Sequence, residues 1–208
     1  MMKILFFILG LLLFSTSCFS FNLQYEPKVP SQINVNLSWK KLKTYLDHIN
    51  ELKKNPKSPI TKKYKNFFPS KVYFEDHKNN LKIIPASSRI TGDWQDHIDF
   101  KKNITSLKLK LRESNIGNIV KFRLLLSSSR NINQEIFISS LFEVLGYPSL
   151  YRKKIKVSIN GLIYEDMIFE ESPVKEFLER NGYRESPIIE FDERQHWFRL
   201  SKLAEVCS

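Results

Sequence analysis

A chain of 208 residues that is 42% hydrophobic, with 16 Phe, 8 Tyr and 3 Trp, carries enough apolar material for the core of one domain, which excludes disorder along its whole length. Its 33 Lys and Arg against 22 Asp and Glu give a formal charge of +11, which favours anionic partners such as phospholipid head groups, acidic polymers or nucleotides. The only cysteines, Cys18 and Cys207, exclude an internal disulfide framework, and no nucleic-acid-binding motif accompanies the basic charge, so specific nucleic-acid recognition is not expected.

The first element reads as an export signal over residues 1–20. Lys3 precedes the apolar run Ile4–Phe14 and the small residues Ser15-Thr16-Ser17. The run is shorter than the roughly 20 apolar residues that span a bilayer. Cleavage after Ser17 would make Cys18 the first mature residue and a lipidation site, so that a lipid anchor is the membrane contact. Cleavage after Ser20 would remove Cys18 and leave simple secretion. Both outcomes place the protein in the periplasm, in the cell envelope or outside the cell. Loss of the leader removes a single positive charge, Lys3. Cys207 is a free thiol or a cross-link between two chains.

Residues 21–66 read as a tether, a basic helix and a linker. Phe21–Asn36 is polar and Pro-containing. Ser38–Lys53 has a capping serine and repeats Trp39, Leu42, Leu46, Ile49 and Leu52 at three- and four-residue steps, which predicts a helix with one apolar face. Lys40, Lys41, Lys43, Lys53 and Lys54 make that helix basic, which suits either packing on its own domain or contact with a membrane surface. Asn55–Asn66 is rich in Pro and Lys and places a boundary near residue 67. The main domain is then 67–193, followed by a short tail at 194–208.

Strands dominate the next segment. Lys71–Phe74 and Leu81–Pro85 are candidate strands. Ser106–Arg112 alternates cleanly, with Leu107, Leu109 and Leu111 on one face and Lys108, Lys110 and Arg112 on the other. Val120–Leu126 is a further strand with Phe122, Leu124 and Leu126 on a shared face. A helix over Asn133–Leu145 carries Ile136, Phe137, Leu141, Val144 and Leu145 on one stripe and ends at Gly146 and Pro148. Arg152–Ile159 and Leu162–Phe169 flank Asn160-Gly161, a strong hairpin signal because both residues tolerate positive φ. A second helix is expected from an N-cap at Ser172 and Pro173 to Gly182, and Pro187–Phe191 is a short last strand. These elements predict an α+β fold, an antiparallel sheet with a helix packed on it.

Several stretches, in this order, resemble the spore-coat-H (CotH) type of atypical protein kinase. They are Arg89-Ile-Thr-Gly-Asp-Trp-Gln-Asp-His97, Ser106-Leu-Lys-Leu-Lys-Leu111, Lys121-Phe122, Gly146-Tyr-Pro-Ser149, the Asn160-Gly161 hairpin, and Glu171-Ser-Pro-Val-Lys-Glu-Phe-Leu-Glu-Arg-Asn-Gly182. The resemblance covers about half of the chain. It implies that residues 67–193 form the amino-terminal lobe of a kinase, with Glu170-Glu171 near the hinge to a second lobe.

Phosphoryl transfer needs a loop over the phosphates, a lysine on a strand often fixed by a helix glutamate, and carboxylates that hold magnesium. The resemblance places Gly92 in such a loop, although a lone glycine also marks ordinary turns. Lys108 and Lys110, about 7 Å apart on one strand face, could grip phosphate oxygens or form a solvated basic face. Lys121 and Glu135 are the expected lysine–glutamate pair, and Arg130 is a further phosphate contact or a surface charge. Asp93, Asp96 and His97 invite a metal reading, but the spacing is not that of a zinc site, and His97 is read as a structural hydrogen-bonding group.

In the family, the catalytic base and the magnesium ligands come from the second lobe. Beyond Asp192 and Glu193 the segment Arg194–Ser208 offers only Glu205. No catalytic or metal-binding residue is therefore assigned. The chain by itself is expected to use no cofactor, with ATP and magnesium entering only if a partner protein supplies a second lobe. The expectation is an exported, kinase-like protein that transfers no phosphate alone: a truncated kinase or a partner-dependent nucleotide-binding lobe. The alternative is a non-catalytic envelope module that binds an anionic surface or polymer.

Overall fold

The computed structural model describes residues 26–55, 58–161 and 163–189. The expected signal segment, Cys18, the expected strand beyond Ile189, Asp192, Glu193 and the expected tail lie outside them. Among the described residues no helix is long and apolar enough to cross a membrane.

The chain forms β1 (Gln32–Leu37), α1 (Trp39–Lys53), β2 (Phe68–Glu75), β3 (Leu81–Ile90), the short pair β4 (Ile98–Asp99) and β5 (Ile104–Thr105), then β6 (Leu107–Leu111) and β7 (Lys121–Leu126). After these come α2 (Ile132–Val144), β8 (Arg152–Ile159), β9 (Ile163–Glu171) and α3 (Lys175–Arg180). Seven strands close a barrel in the order β1-β2-β3-β6-β7-β9-β8, while β4 and β5 pair separately. Every barrel pairing is antiparallel except β1 with β8, which is parallel.

The barrel corrects the expected kinase-lobe sheet. The cause is β1, which lies in the stretch read as a tether. It pairs with β2 through Asn34–Tyr73 and with β8 through Val35–Ile159, and so removes both free edges of the sheet. Its alternation buries Ile33, Val35 and Leu37. Asn160 fastens the junction: its side-chain oxygen accepts from Leu37 N at 2.8 Å, and its amide donates to Leu37 O at 2.8 Å. Asn160 (φ 52°) and Gly161 (φ 65°) take the positive φ that the hairpin signal predicts.

The core is the barrel interior. Leu107, Leu109, Phe122, Leu124, Val157 and Phe169 are fully buried there, and Phe122 stacks on Phe169 at 4.4 Å. Helix α1 joins this core through Leu42, Tyr45, Ile49 and Leu52, so the basic helix packs on its own domain. Tyr45 accepts a hydrogen bond from Thr105 N at 2.8 Å, and burial pushes its phenol pKa well up. Trp39, expected on the same apolar face, is exposed at the helix start.

The two later helices also depart from expectation. Asn131 caps α2 by accepting from Gln134 N, yet the apolar stripe Phe137, Leu141, Val144 and Leu145 faces outward, and the buried residue of the helix is Ser139. The expected helix packed by its apolar face on a sheet is therefore not what forms. Polar contacts hold it to the barrel: Arg152 donates to Ser139 Oγ at 2.5 Å and pairs with Glu135 at 3.5 Å. Helix α3 begins at Lys175, not at Ser172. Ser172 cannot cap it, because the chain is still bound to the barrel there: Ser172 N donates to Lys121 O at 2.9 Å.

Candidate functional site: a cationic outer face

Period-two alternation on β6 turns Leu107, Leu109 and Leu111 inward and leaves Lys108 and Lys110 on the outer wall. Strand register then decides what stands beside them. Lys108 lies opposite Arg89 on β3 and opposite Arg123 on β7. Lys110 lies opposite Ser87 and Lys121. Two parallel rows result, Arg89–Lys108–Arg123 and Ser87–Lys110–Lys121. Adjacent strands lie about 4.8 Å apart, so each row spans roughly 10 Å, and the rows are about 7 Å apart along the strands. Arg112 extends the second row by donating to Ser87 Oγ at 2.8 Å.

Like charges directly opposite across a ladder are destabilising. The upper row has an acidic neighbour on β9. Glu170 on β9 faces Arg123 and Arg152 in register and is nearly fully buried. It pairs with Arg123, and Arg152 Nε donates to it at 2.8 Å. Arg152 continues to Glu135, which also pairs with Arg130 at 3.2 Å. The network thus runs Arg123–Glu170–Arg152–Glu135–Arg130, with its carboxylates held by arginines. In the lower row, neither Lys110 nor Lys121 forms an ion pair among the described residues.

The expected site residues therefore separate. Lys108, Lys110 and Lys121 share the outer face. Glu135 does not meet Lys121; it pairs with Arg130 and Arg152. Gly92 lies apart from that face, in the turn after β3, with φ 98°. A Cβ at residue 92 would overlap the ring of His97. His97 Nδ1 lies 3.0 Å from Ser106 Oγ, and that oxygen accepts from Leu126 N at 3.0 Å. Ser106 Oγ therefore links the imidazole to the end of β7. Burial holds the His97 pKa below its usual value; nearby Arg130 and Arg123 act in the same direction, against Asp96 and Asp93.

The rest of the Arg89–His97 stretch also joins elements together. Asp93 pairs with Lys65 at 2.5 Å, the Gln95 amide donates to Asn55 O at 2.6 Å and Ser58 O at 3.0 Å, and Asp96 O accepts from Ser128 Oγ at 3.0 Å. Among the described residues no group of three or more His, Cys, Asp or Glu could hold a metal ion.

Arg130 lines an open cleft of about 530 Å³ with Ser127, Ser128, Asn131 and Lys154 at the start of α2. At the opposite end of β9, Glu171 and Arg180 form a buried pair at 2.6 Å, with Arg180 also donating to Ser149 O at 3.0 Å. Tyr151, whose backbone N donates to Glu171 at 3.2 Å, has its phenol pKa pushed up to about 12, chiefly by burial.

Arg89 and Arg123 also belong to this face, although no local sequence pattern groups them with Lys108 and Lys110. Their signal was a shared phase: Ser87 and Arg89, Lys108 and Lys110, and Lys121 and Arg123 all sit two apart in strands whose intervening residues are buried. No family model and no curated protein matches this chain.

Proposed function

We propose that this protein is an exported, non-catalytic binding module that holds an anionic polymer against the outer face of β3, β6 and β7. The supporting observation is the in-register stacking of Arg89, Lys108 and Arg123 beside Lys110 and Lys121. Lys110 opposite Lys121 costs the folded chain stability, and a polyanion lying across the strands offsets that cost.

Among the described residues, the serine, histidine and glutamates closest to this face are engaged in contacts of their own. Ser106 is fully buried and hydrogen-bonded to His97. Glu135, Glu170 and Glu171 are bound to arginines. Descent from a CotH-type kinase is proposed from motif order alone. A closed barrel stands where an amino-terminal kinase lobe would hold a nucleotide.

The test is equilibrium binding to polyphosphate and to polyglutamate. Lys110→Thr combined with Lys121→Thr should weaken binding by roughly 30-fold, taking about 1 kcal/mol for each lysine near an anionic surface. Equal affinity of the double variant and the wild type would reject this face as the binding site.

A further inference from the structure

Asn160 does more than turn the β8–β9 hairpin. The parallel register of β1 with β8 ends at Val35 opposite Ile159, and the Asn160 side chain carries the seam on to Leu37. Its oxygen accepts from Leu37 N and its amide donates to Leu37 O, both at 2.8 Å, while Asn160 N donates to Val35 O at 3.0 Å. The side-chain amide is therefore part of the clasp that closes the barrel.

The same amide is chemically labile. Asparagine is among the thermolabile residues, and a following glycine puts no side chain in the way of an attack by its own backbone nitrogen on the amide carbon. Gly161 is exposed, and a Cβ placed on it would meet nothing within 4 Å, so the turn is open to water. One ingredient is withheld in the closed barrel. The attack requires the Asn160 amide to turn its plane toward Gly161 N, and bonds from both of its polar atoms to Leu37 set its orientation instead.

We propose that Asn160 is a deamidation site guarded by β1, so that release of this strand turns a reversible opening into a permanent one. Gly161 N loses its proton to water and bonds to Asn160 Cγ; the Cγ–Nδ2 bond breaks, and the nitrogen takes up a proton and leaves as ammonia. Water then opens the cyclic imide at either carbonyl, leaving aspartate or isoaspartate at position 160. Neither product donates to Leu37 O. Aspartate sets a negative oxygen against that carbonyl, and isoaspartate lengthens the backbone of the turn. Both weaken the seam whose closure removes the free edges of the sheet.

The test holds the full chain at mildly alkaline pH, folded or in urea, and follows ammonia loss and isoaspartate at residue 160 by peptide mass spectrometry. The folded wild type should react at least about tenfold more slowly than the unfolded chain, because reaction waits on local opening. Val35→Ala loosens β1 opposite Ile159 without touching the amide, and should speed the folded-state reaction several-fold. Leu178→Ala, a loss of buried packing on α3, should leave it unchanged. Deamidated wild type, separated by its added negative charge, should melt at a lower temperature than unmodified protein. Equal rates in folded and unfolded chains would overturn the guarding role of Leu37, and equal acceleration by the two variants would make global unfolding the gate. An Asn160 that stays intact in urea, or a deamidated chain that melts with the unmodified one, would overturn the proposal as well.

Discussion

The imidazole of His97 occupies the space that a side chain on Gly92 would fill. Gly92 is therefore a packing requirement, reinforced by its φ of 98°, and its place in a phosphate-covering loop is not needed to explain it. Gly92→Ala should destabilise the fold by about 2–4 kcal/mol, combining backbone strain with overpacking. Part of that cost should disappear in a His97→Ala background, because the clash is removed while the strain remains. A double-mutant cycle by urea denaturation measures the coupling; strict additivity would contradict the contact.

The same histidine makes stability depend on pH. Burial lowers its folded pKa, so near neutrality the folded state holds it unprotonated and the unfolded chain binds more protons as pH falls. Stability should be complete above the unfolded value of about 6.5 and decline as pH drops from there toward the lowered folded value. His48 is shifted the same way by burial and contributes to the same window. His97→Asn should flatten the decline between neutral and mildly acidic pH, as read by thermal unfolding. An unchanged slope would mean that His97 is protonated equally in both states.

Much of the barrel is legible locally. Alternation marks β6 and β7, the helix expected at Asn133–Leu145 forms at Ile132–Val144, and Asn160-Gly161 turns as its residue types require. Closure is not legible. β1 alternates Ile33, Val35 and Leu37, but Pro27 and Pro30 precede it and asparagines interleave it, and its partner is remote: Asn34 and Ser158 bond across 124 residues. No local pattern encodes a parallel pairing at that distance. The cationic face is legible by halves for the same reason, since Lys108 and Lys110 share a strand while Arg89 and Arg123 join them only through register.

Lys110 opposes Lys121 at the expense of stability. Lys110→Thr, a good strand former, should raise stability by about 0.2–1 kcal/mol while reducing polyanion affinity. Opposite movement of the two quantities is the signature of a residue retained for binding. Loss of both would make Lys110 a structural residue.

Arg180 and Glu171 are both almost completely buried. Arg180→Met should cost about 3–5 kcal/mol, because it strands a carboxylate in the interior. Adding Glu171→Gln should recover much of the loss by removing the unpaired charge. A small effect of Arg180→Met in chemical denaturation would show that water reaches Glu171.

The central claim is tested most directly by following polyphosphate binding against salt concentration for the wild type and the Lys110→Thr, Lys121→Thr variant. The account predicts a steep fall in wild-type affinity with salt, a shallower fall in the variant, and convergence of the two at high salt, where exposed charges are screened within a few ångströms. Binding that ignores salt, or identical salt dependence in both proteins, would contradict it.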